Sequence, residues 1–333
     1  MARPVVLMPG PMTEVVMTGC AEHFDLIQLW DADDPDTVLD ARGGEVSAIA
    51  TSGHRRVDGP LMDRLPKLEL VANFGVGYDT IDAEGAARRG VVVTHGAGSL
   101  DDEVADTAMG LLLMTVRELS AAERFLRAGC WPAGEYPLTS MTLAGRRLGI
   151  LGLGRIGEAI ARRAEAFGVS IAYHNRTPKD SPYRYYPTLL EMARDIDTLM
   201  VVVPGGGATE HVVDAKVLEA LGSDGILINV ARGSVVDEEA LVEALRSRTI
   251  RSAGLDVYEN EPQVPQALVD MDHVVLLPHV GSASTPTRNA MGRLCMDNLL
   301  SWFENGTVLT PVPETAALAA SSRGRTAVGG RSH

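Results

Sequence analysis

The feature that most constrains the fold is the hexapeptide GLGRIG at residues 152–157. The strand-like RLGIL precedes it and the helix-forming EAIARRAEAFG follows it, the context in which such glycines form a phosphate-binding turn. Gly152 permits the tight bend, Gly154 lets the backbone approach a pyrophosphate, and Gly157 allows the helix to pack closely on the strand. The motif therefore predicts a dinucleotide-binding domain, with a purely structural strand–helix turn as the alternative.

Short β-branched runs alternate with amphipathic segments through most of the 333 residues. This alternation is typical of parallel sheets covered by helices. Because the chain is too long for one ordinary core, we predict two doubly wound α/β domains. The predicted strands span residues 5–8, 25–29, 46–51, 68–73, 91–94, 148–151, 169–173, 198–203, 225–229, 252–257 and 274–277.

The predicted helices define the domain boundaries. A long helix over 101–119, with three acidic residues in its first turn, precedes an irregular arm at 129–142. The last helix, 287–303, comes too late to belong to the second sheet, so we expect it to return to the first domain. We therefore predict one discontinuous domain of residues 1–99 and 285–312 and a dinucleotide-binding domain of residues 100–284. The tail 313–333 lacks periodicity and is predicted to be disordered.

Composition narrows the possible partners and location. The net charge of −14 disfavours binding to nucleic acid or to an anionic membrane. The three cysteines, far apart, show no disulfide pattern and no metal-ligand spacing, which predicts reduced thiols and no metal site. Neither a signal peptide nor an apolar run of about 18 residues is recognisable. We expect a cytoplasmic protein whose anionic ligands need local positive charge.

The cofactor preference is indicated by residues 175–177. An NAD-binding unit usually presents a carboxylate about twenty residues beyond the glycine motif, whereas this chain has Asn175, Arg176 and Thr177 there. Since an arginine can bind the 2′-phosphate of NADP, NADPH is favoured and NADH remains possible. A solvated surface arginine is the alternative.

Three polar residues follow predicted strands of the second domain: Arg232, Glu261 and His279. The carboxyl ends of parallel strands meet at one edge of a sheet, so these side chains and the glycine turn are expected to converge on one crevice. A single histidine after a strand is more often structural, but this combination indicates a catalytic site. In the first domain, the 75–77 loop (Gly-Val-Gly) offers N–H groups to a carboxylate, and Ser52 is a weaker candidate.

Six segments resemble one known family, the D-isomer-specific 2-hydroxyacid dehydrogenases, and most closely their glyoxylate/hydroxypyruvate reductase branch. They are NFGVGYDTID (73–82), DDEVADTAMGLLL (101–113), GILGLGRIGEAIARRAEAFG (149–168), ILINVARGSVVDEEAL (226–241), AGLDVYENEP (253–262) and LLPHVGSAS (276–284). The resemblance implies a flavodoxin-like substrate domain and a Rossmann cofactor domain, with the active site in the cleft between them. It also implies reversible NAD(P)H-dependent reduction of a small 2-oxo acid, such as glyoxylate or hydroxypyruvate, to the (R)-2-hydroxy acid.

The resemblance further implies roles for individual residues. Arg232 anchors the substrate, His279 is the acid/base and Glu261 is its partner. The family is typically dimeric, with Trp131 of the partner subunit at the substrate site. The expected cofactor contacts are Gly152, Gly154, Arg155, Ile156, Gly157, Asn175, Arg176, Thr177, Val203, Pro204, Thr209, Val230, Ala231, Arg232, Asp256, His279 and Gly281. The expected substrate contacts are Ser52, Val76, Gly77, Arg232, His279 and Trp131 of the partner subunit.

Two segments depart from the family pattern. Residues 204–209 read PGGGAT in place of a Pro-Leu-Thr-type loop, and His95 lies where an Asn-Thr-Pro turn is usual.

Two other functions stay open. Pocket width is not readable from the sequence, so a reductase of larger 2-oxo acids such as aryl-pyruvates is an alternative. A dinucleotide-sensing, corepressor-like binding protein is the more distant one.

Overall fold

The computed structural model describes residues 3–53 and 56–321, which form two compact units. Unit 1 comprises the described residues of Met1–Leu100 and of Ser284–His333, and unit 2 comprises Asp101–Ala283. Each unit is a parallel sheet with helices on its faces, so the predicted α/β class with two doubly wound domains is confirmed. No helix among the described residues is long and apolar enough to cross a membrane.

Unit 1 is built on a five-stranded parallel sheet in the order β2-β1-β3-β4-β5, a flavodoxin-like arrangement. Four of its strands are mostly apolar and buried on both faces, as parallel strands covered by helices are, whereas the edge strand DLIQ (25–28) buries only Ile27. The elements are β1 (Val5–Met8), α1 (Glu14–His23), β2 (Asp25–Gln28), α2 (Pro35–Arg42), β3 (Val46–Thr51), α3 (Gly59–Asp63), β4 (Leu70–Asn73), α4 (Ala83–Arg88) and β5 (Val92–Thr94).

Unit 2 has a seven-stranded parallel sheet in the order β12-β11-β10-β9-β6-β7-β8. The order reverses direction at β6, as in a Rossmann fold, where ligands bind beyond the carboxyl ends of the strands. Its elements are α5 (Asp101–Val116), α6 (Leu119–Arg127), β6 (Arg147–Leu151), α7 (Arg155–Glu165), β7 (Ser170–His174), β8 (Arg184–Tyr185), α8 (Leu189–Asp195), β9 (Thr198–Val201), α9 (Ala215–Leu221), β10 (Ile226–Asn229), α10 (Glu238–Arg246), β11 (Ser252–Leu255), α11 (Gln266–Val269) and β12 (Val275–Leu276).

The chain re-enters unit 1 with α12 (Thr285–Asn305). Ser284 caps this helix by accepting a hydrogen bond from the Thr287 N–H, and Gly306 ends it in the left-handed conformation. The helix packs on α1 so closely that a Cβ on Gly292 would lie 3.1 Å from Thr13 Oγ1. It also packs on β4, and this contact with β4 bears on the candidate site.

Two segments differ from the sequence-based predictions. The helix predicted over 101–119 ends at Val116, because Glu118 adopts the left-handed conformation (φ 54°) before α6 begins. The tail predicted to be disordered from residue 313 instead forms a 3-10 turn at Pro313–Thr315 and α13 (Ala316–Ser321). Buried Thr315 anchors it, since its hydroxyl bonds the backbone of Val93 in β5. Residues 322–333 of the predicted tail lie outside the described residues.

Candidate active site

The glycine turn of unit 2 has the steric features that the motif predicts. Gly152 has a φ of 102°, and a Cβ there would lie 2.9 Å from Val203 Cγ1, beside the end of β9. A Cβ on Gly157 would lie only 2.3 Å from the Gly152 carbonyl oxygen, whereas a Cβ on Gly154 would meet nothing within 4 Å. Two glycines are therefore required by packing, and the exposed Gly154 leaves open space at the N-terminus of α7. Backbone N–H groups and the helix dipole make such a place suited to phosphate.

Some residues beside this turn are held by hydrogen bonds or ion pairs within the protein, and others are exposed. Asn175 Oδ1 accepts a hydrogen bond from the Leu153 N–H at 2.7 Å, so its amide holds the glycine turn in place. Arg155 is engaged with Asp101 at 2.7 Å, and the side chain of Ile156 is half-buried. Arg176 and Thr177 are exposed at the end of β7. No carboxylate occupies the positions 175–177, which leaves a guanidinium as the charged group there.

The loop after β9 is closed by its own hydrogen bonds. The Thr209 hydroxyl donates to the carbonyls of Pro204 and Gly206, at 2.6 and 3.1 Å, and Gly206 has a φ of 115°. Since the Thr209 proton is committed to the loop, its oxygen has only acceptor capacity left for a ligand. The predicted contact residues Val203 and Thr209 are half-buried at the edge of the sheet.

Arg232 begins the turn that follows β10. Buried Asn229, the last residue of β10, accepts from the Ala231 N–H and donates to the Arg232 carbonyl. A Cβ on Gly233 would lie 1.9 Å from the Tyr258 carbonyl carbon, so only glycine fits there. The turn places Val230 half-buried and Ala231 buried, and leaves the Arg232 side chain partly exposed at the sheet edge, with one Nη donating to the Ala231 carbonyl at 2.7 Å.

His279 and Glu261 form a direct pair. His279 Nδ1 lies 2.7 Å from Glu261 Oε2, and the other oxygen of Glu261 accepts from the Tyr258 N–H at 3.0 Å. Burial by itself would raise the pKa of Glu261. The hydrogen bonds from His279 and Tyr258 and the charges of His279 and Arg232 outweigh it, so the pKa lies below its usual value. The carboxylate is thus ionised at neutral pH and faces the imidazole as a charged hydrogen-bond acceptor.

Asp256 fixes the backbone that carries the histidine. Its carboxylate is almost fully buried and accepts from the N–H groups of Val280 and Gly281, at 2.7 and 2.8 Å, while its carbonyl accepts from the His279 N–H. His279 itself is in the left-handed conformation (φ 52°), a strained state for a residue other than glycine. These bonds hold the loop in that state and direct Nε2 of a half-exposed ring away from Glu261.

Unit 1 presents backbone donors at the carboxyl edge of its own sheet. The carbonyls of the 75–77 loop all accept hydrogen bonds: Asn73 Nδ2 donates to Gly75 and Gly77, and His95 Nδ1 donates to Val76 at 3.1 Å. The N–H groups of residues 75–77 have no acceptor within the described residues. Free N–H groups in a turn are available to an anion, and we call residues 75–77 the 75–77 nest. Ser52 is half-buried just after β3.

The family model described as "D-isomer specific 2-hydroxyacid dehydrogenase, NAD binding domain" matches residues 109–281. That span is more than half of the chain and contains the glycine turn, Arg232, Glu261 and His279. The chain belongs to this family. The resemblance inferred from the sequence is therefore confirmed.

Individual dehydrogenases and reductases match along almost the whole length. A glyoxylate/hydroxypyruvate reductase A of Arabidopsis thaliana is 42% identical, with 92% of this chain and 98% of the relative covered. A hydroxyphenylpyruvate reductase of Plectranthus scutellarioides is 40% identical over the same shares. The crystal structure of the NADPH-dependent glyoxylate/hydroxypyruvate reductase of Sinorhizobium meliloti, in complex with NADP and malonate, is 54% identical. It superposes with a TM-score of 0.90, covering 94% of this chain and 98% of the other.

Sequence reasoning did not find the two asparagines that shape the site of this dehydrogenase. Asn73 and Asn229 are the last residues of β4 and β10, and both side chains are buried. The sequence did contain a signal for these residues, because each asparagine ends an apolar strand and precedes a turn. Buried amides at such positions bond the loop backbone, here through Asn73 Nδ2 and through both amide atoms of Asn229.

Proposed function

We propose that the protein is an NADPH-preferring reductase of small 2-oxo acids, which it converts reversibly to (R)-2-hydroxy acids. The observation that carries the proposal is the His279–Glu261 pair at 2.7 Å, on the same sheet edge as Arg232 and the glycine turn. Relatives named as glyoxylate/hydroxypyruvate reductases support the substrate class.

The proton chemistry belongs to His279. In the reductive direction the carbonyl oxygen of the substrate gains negative charge and needs a proton as C2 is reduced. His279 donates that proton from Nε2, while Glu261 holds Nδ1 and stabilises the imidazolium. Arg232 binds the substrate carboxylate through two parallel hydrogen bonds and polarises the adjacent carbonyl. In the hydroxy-acid direction the same imidazole takes the proton back.

The residues beside the glycine turn fit a phosphorylated dinucleotide. The open space at Gly154 and the N-terminus of α7 suit the pyrophosphate, and exposed Arg176 suits a 2′-phosphate. When bound, NADPH supplies the hydride. Arg176→Ala should reduce the preference for NADPH over NADH in kcat/KM by roughly 1–3 kcal/mol, the scale of a hydrogen bond to a charged group. Equal efficiency with both cofactors in the unmodified protein would reject the preference.

The substrate class is tested with a panel of oxo acids. Glyoxylate, hydroxypyruvate and phenylpyruvate are assayed with NADPH and with NADH, following cofactor absorbance. We expect the two small acids to have the higher kcat/KM. A dominant rate with phenylpyruvate would favour the aryl-pyruvate alternative, which the hydroxyphenylpyruvate reductase among the relatives supports. No turnover with any oxo acid would favour a dinucleotide-sensing role.

We also propose a homodimer in which Trp131 enters the partner's substrate site. Helix α6 buries none of its residues, although it carries Leu119 and Leu126, which are 47% and 55% exposed. In the arm after it, Trp131 is 64% and Leu138 99% exposed. Large apolar side chains exposed along one helix and the arm after it favour a protein partner. Sedimentation is expected to show a dimer, and Trp131→Ala to change the substrate profile; an active monomer would exclude this arrangement.

A further inference from the structure

A second histidine–glutamate contact joins two loops of unit 2. His211 Nε2 lies 2.9 Å from Glu259 Oε1, and the two side chains are 40% and 32% exposed. His211 belongs to the loop after β9, and Glu259 lies two residues before Glu261. Because an exposed ion pair contributes little to the stability of a fold, the significance of this contact lies in the segments that it connects.

The backbone of His211 is fixed to the turn after β10. Its N–H donates to the Ser234 carbonyl at 2.8 Å, and Val213, two residues on, forms a parallel bridge with Val236. His211 adopts the left-handed conformation (φ 49°), which is uncommon for a residue other than glycine. The bonds on either side hold it there, so the imidazole is a fixed point to which Glu259 is attached.

Glu259 is held through its backbone as well as through its carboxylate. Its N–H donates to Glu238 Oε1, in the first turn of α10, at 3.2 Å. A Cβ on Gly233 would lie 2.2 Å from the same nitrogen, so the backbone of Glu259 packs directly on the turn after β10. The contact with His211 adds an attachment to the loop after β9.

Residues 258–261 form the turn that carries the partner of His279. The Tyr258 hydroxyl holds the start of this turn by donating to the Leu277 carbonyl at 2.9 Å, and Glu261 closes it by accepting from the Tyr258 N–H at 3.0 Å. Residues 259–261 are exposed, so core packing contributes little to their position, and the contacts of Glu259 restrain them instead.

We propose that His211 and Glu259 are positioning residues, whose contact holds the 258–261 turn in the orientation from which Glu261 reaches His279. This inference rests on the proposed reductase function, in which Glu261 holds His279 Nδ1. It gives the loop after β9 an effect on the proton chemistry without any contact with the substrate.

The first test does not depend on turnover. Asparagine adopts the left-handed conformation readily but is too short to reach Glu259, so His211→Asn removes the contact and keeps the backbone, whereas His211→Gln keeps a donor. Amide hydrogen exchange at Tyr258, measured by NMR, should become about three- to tenfold faster in His211→Asn and change less than about twofold in His211→Gln. Glu243→Ala, which removes the exposed Arg246–Glu243 ion pair of α10, is the control and should change nothing.

The second test measures kcat at saturating NADPH and hydroxypyruvate. We expect His211→Asn to lower kcat about three- to tenfold, to leave the Kd for NADPH within about twofold, and His211→Gln to restore most of the rate. In a Glu261→Ala background the same His211→Asn change should alter kcat less than about twofold, because the group that the contact positions is absent.

Each outcome decides between specific alternatives. An undiminished loss in the Glu261→Ala background would mean that His211 acts on the cofactor or on folding, and unchanged exchange and kcat would mean that the contact positions nothing; either result overturns the inference. A wild type that turns over no oxo acid rejects the proposed function, and the exchange at Tyr258 still decides whether the contact holds the turn. If His211→Asn does not fold, Glu259→Ala, which removes the other side of the same contact, decides.

Discussion

The two units both end a central strand with a buried asparagine, but they use it to present different chemistry. In unit 1, Asn73 binds the carbonyls of Gly75 and Gly77, so the loop after β4 presents backbone N–H groups. In unit 2, Asn229 binds the backbone on both sides of a turn, so the loop after β10 presents the side chain of Arg232. A buried asparagine therefore leaves backbone N–H groups available in unit 1, whereas in unit 2 it supports the turn that carries the Arg232 side chain.

Under the proposed function, the unit 1 loop is an uncharged anion-binding element and unit 2 carries the charged and proton-transferring groups. Backbone N–H groups cannot titrate, so the unit 1 loop stabilises an anion equally in the ground state and the transition state, which affects KM. Unit 2 adds groups that carry or transfer charge, namely Arg232 and the His279–Glu261 pair. Substitutions of His279 or Glu261 should therefore lower kcat, and substitutions around the 75–77 loop should raise KM for the oxo acid.

The largest effect is expected from His279→Asn. This change removes the proton donor while leaving the Asp256 clamp on the backbone of residues 279–281. We expect kcat to fall about 10²–10⁴-fold, the usual contribution of a general acid, with the affinity for NADPH retained. Turnover is measured at saturating NADPH and oxo acid, and cofactor affinity by fluorescence titration. Near-normal turnover would show that unit 2 does not hold the acid, and His95 of unit 1 would be tested next.

A matched pair of glycine substitutions tests the turn after β6. The Cβ of Gly157→Ala would lie 2.3 Å from the Gly152 carbonyl oxygen, and overpacking of this kind costs about 1–3 kcal/mol of stability. The Cβ of Gly154→Ala meets nothing within 4 Å but enters the space proposed for the pyrophosphate. We expect Gly157→Ala to lower the unfolding temperature. Gly154→Ala should leave it unchanged and weaken NADPH binding about tenfold, or about 1.4 kcal/mol.

The opposite pattern for this pair would contradict the steric assignment. If Gly154→Ala destabilised the fold and Gly157→Ala only weakened NADPH binding, Gly154 would be the packing glycine. Retained NADPH affinity in Gly154→Ala would place the cofactor elsewhere. Both measurements are made on the full chain, so a general loss of folding is distinguished from a local loss of cofactor binding.

The glycine turn was predictable from sequence because its chemistry is local. The required residues lie within six positions, between a recognisable strand and helix, and the polar residues after strands were found for the same reason. The 75–77 nest was only partly predictable, since its orientation depends on Asn73 and on His95 from a neighbouring strand. The fold of residues 313–321 was not predictable from periodicity. It depends on tertiary hydrogen bonds between Thr315 and β5.

A smaller effect, on pH dependence, is expected from Glu261→Gln. The pKa of Glu261 lies below its usual value, so the carboxylate is ionised and stabilises the imidazolium throughout the neutral range. Reduction needs the protonated ring and therefore declines as pH rises. Without the carboxylate this decline in rate should move to lower pH. The pH profile of kcat/KM measures this shift. An unchanged profile would show that the His279–Glu261 pair does not control the pH dependence of the reaction.

The smallest effect should come from His95, which orients the unit 1 nest without touching the chemistry. His95 Nδ1 donates to the Val76 carbonyl at 3.1 Å, and this bond restrains the peptide that links Val76 to Gly77. Losing one such bond costs about 1 kcal/mol, so His95→Ala should raise KM for the oxo acid about fivefold and leave kcat nearly unchanged. His95→Asn, which can donate to the same carbonyl, should restore most of the affinity. A fall in kcat with KM unchanged would contradict a purely binding role for the 75–77 loop, because the effect would then lie on the transition state.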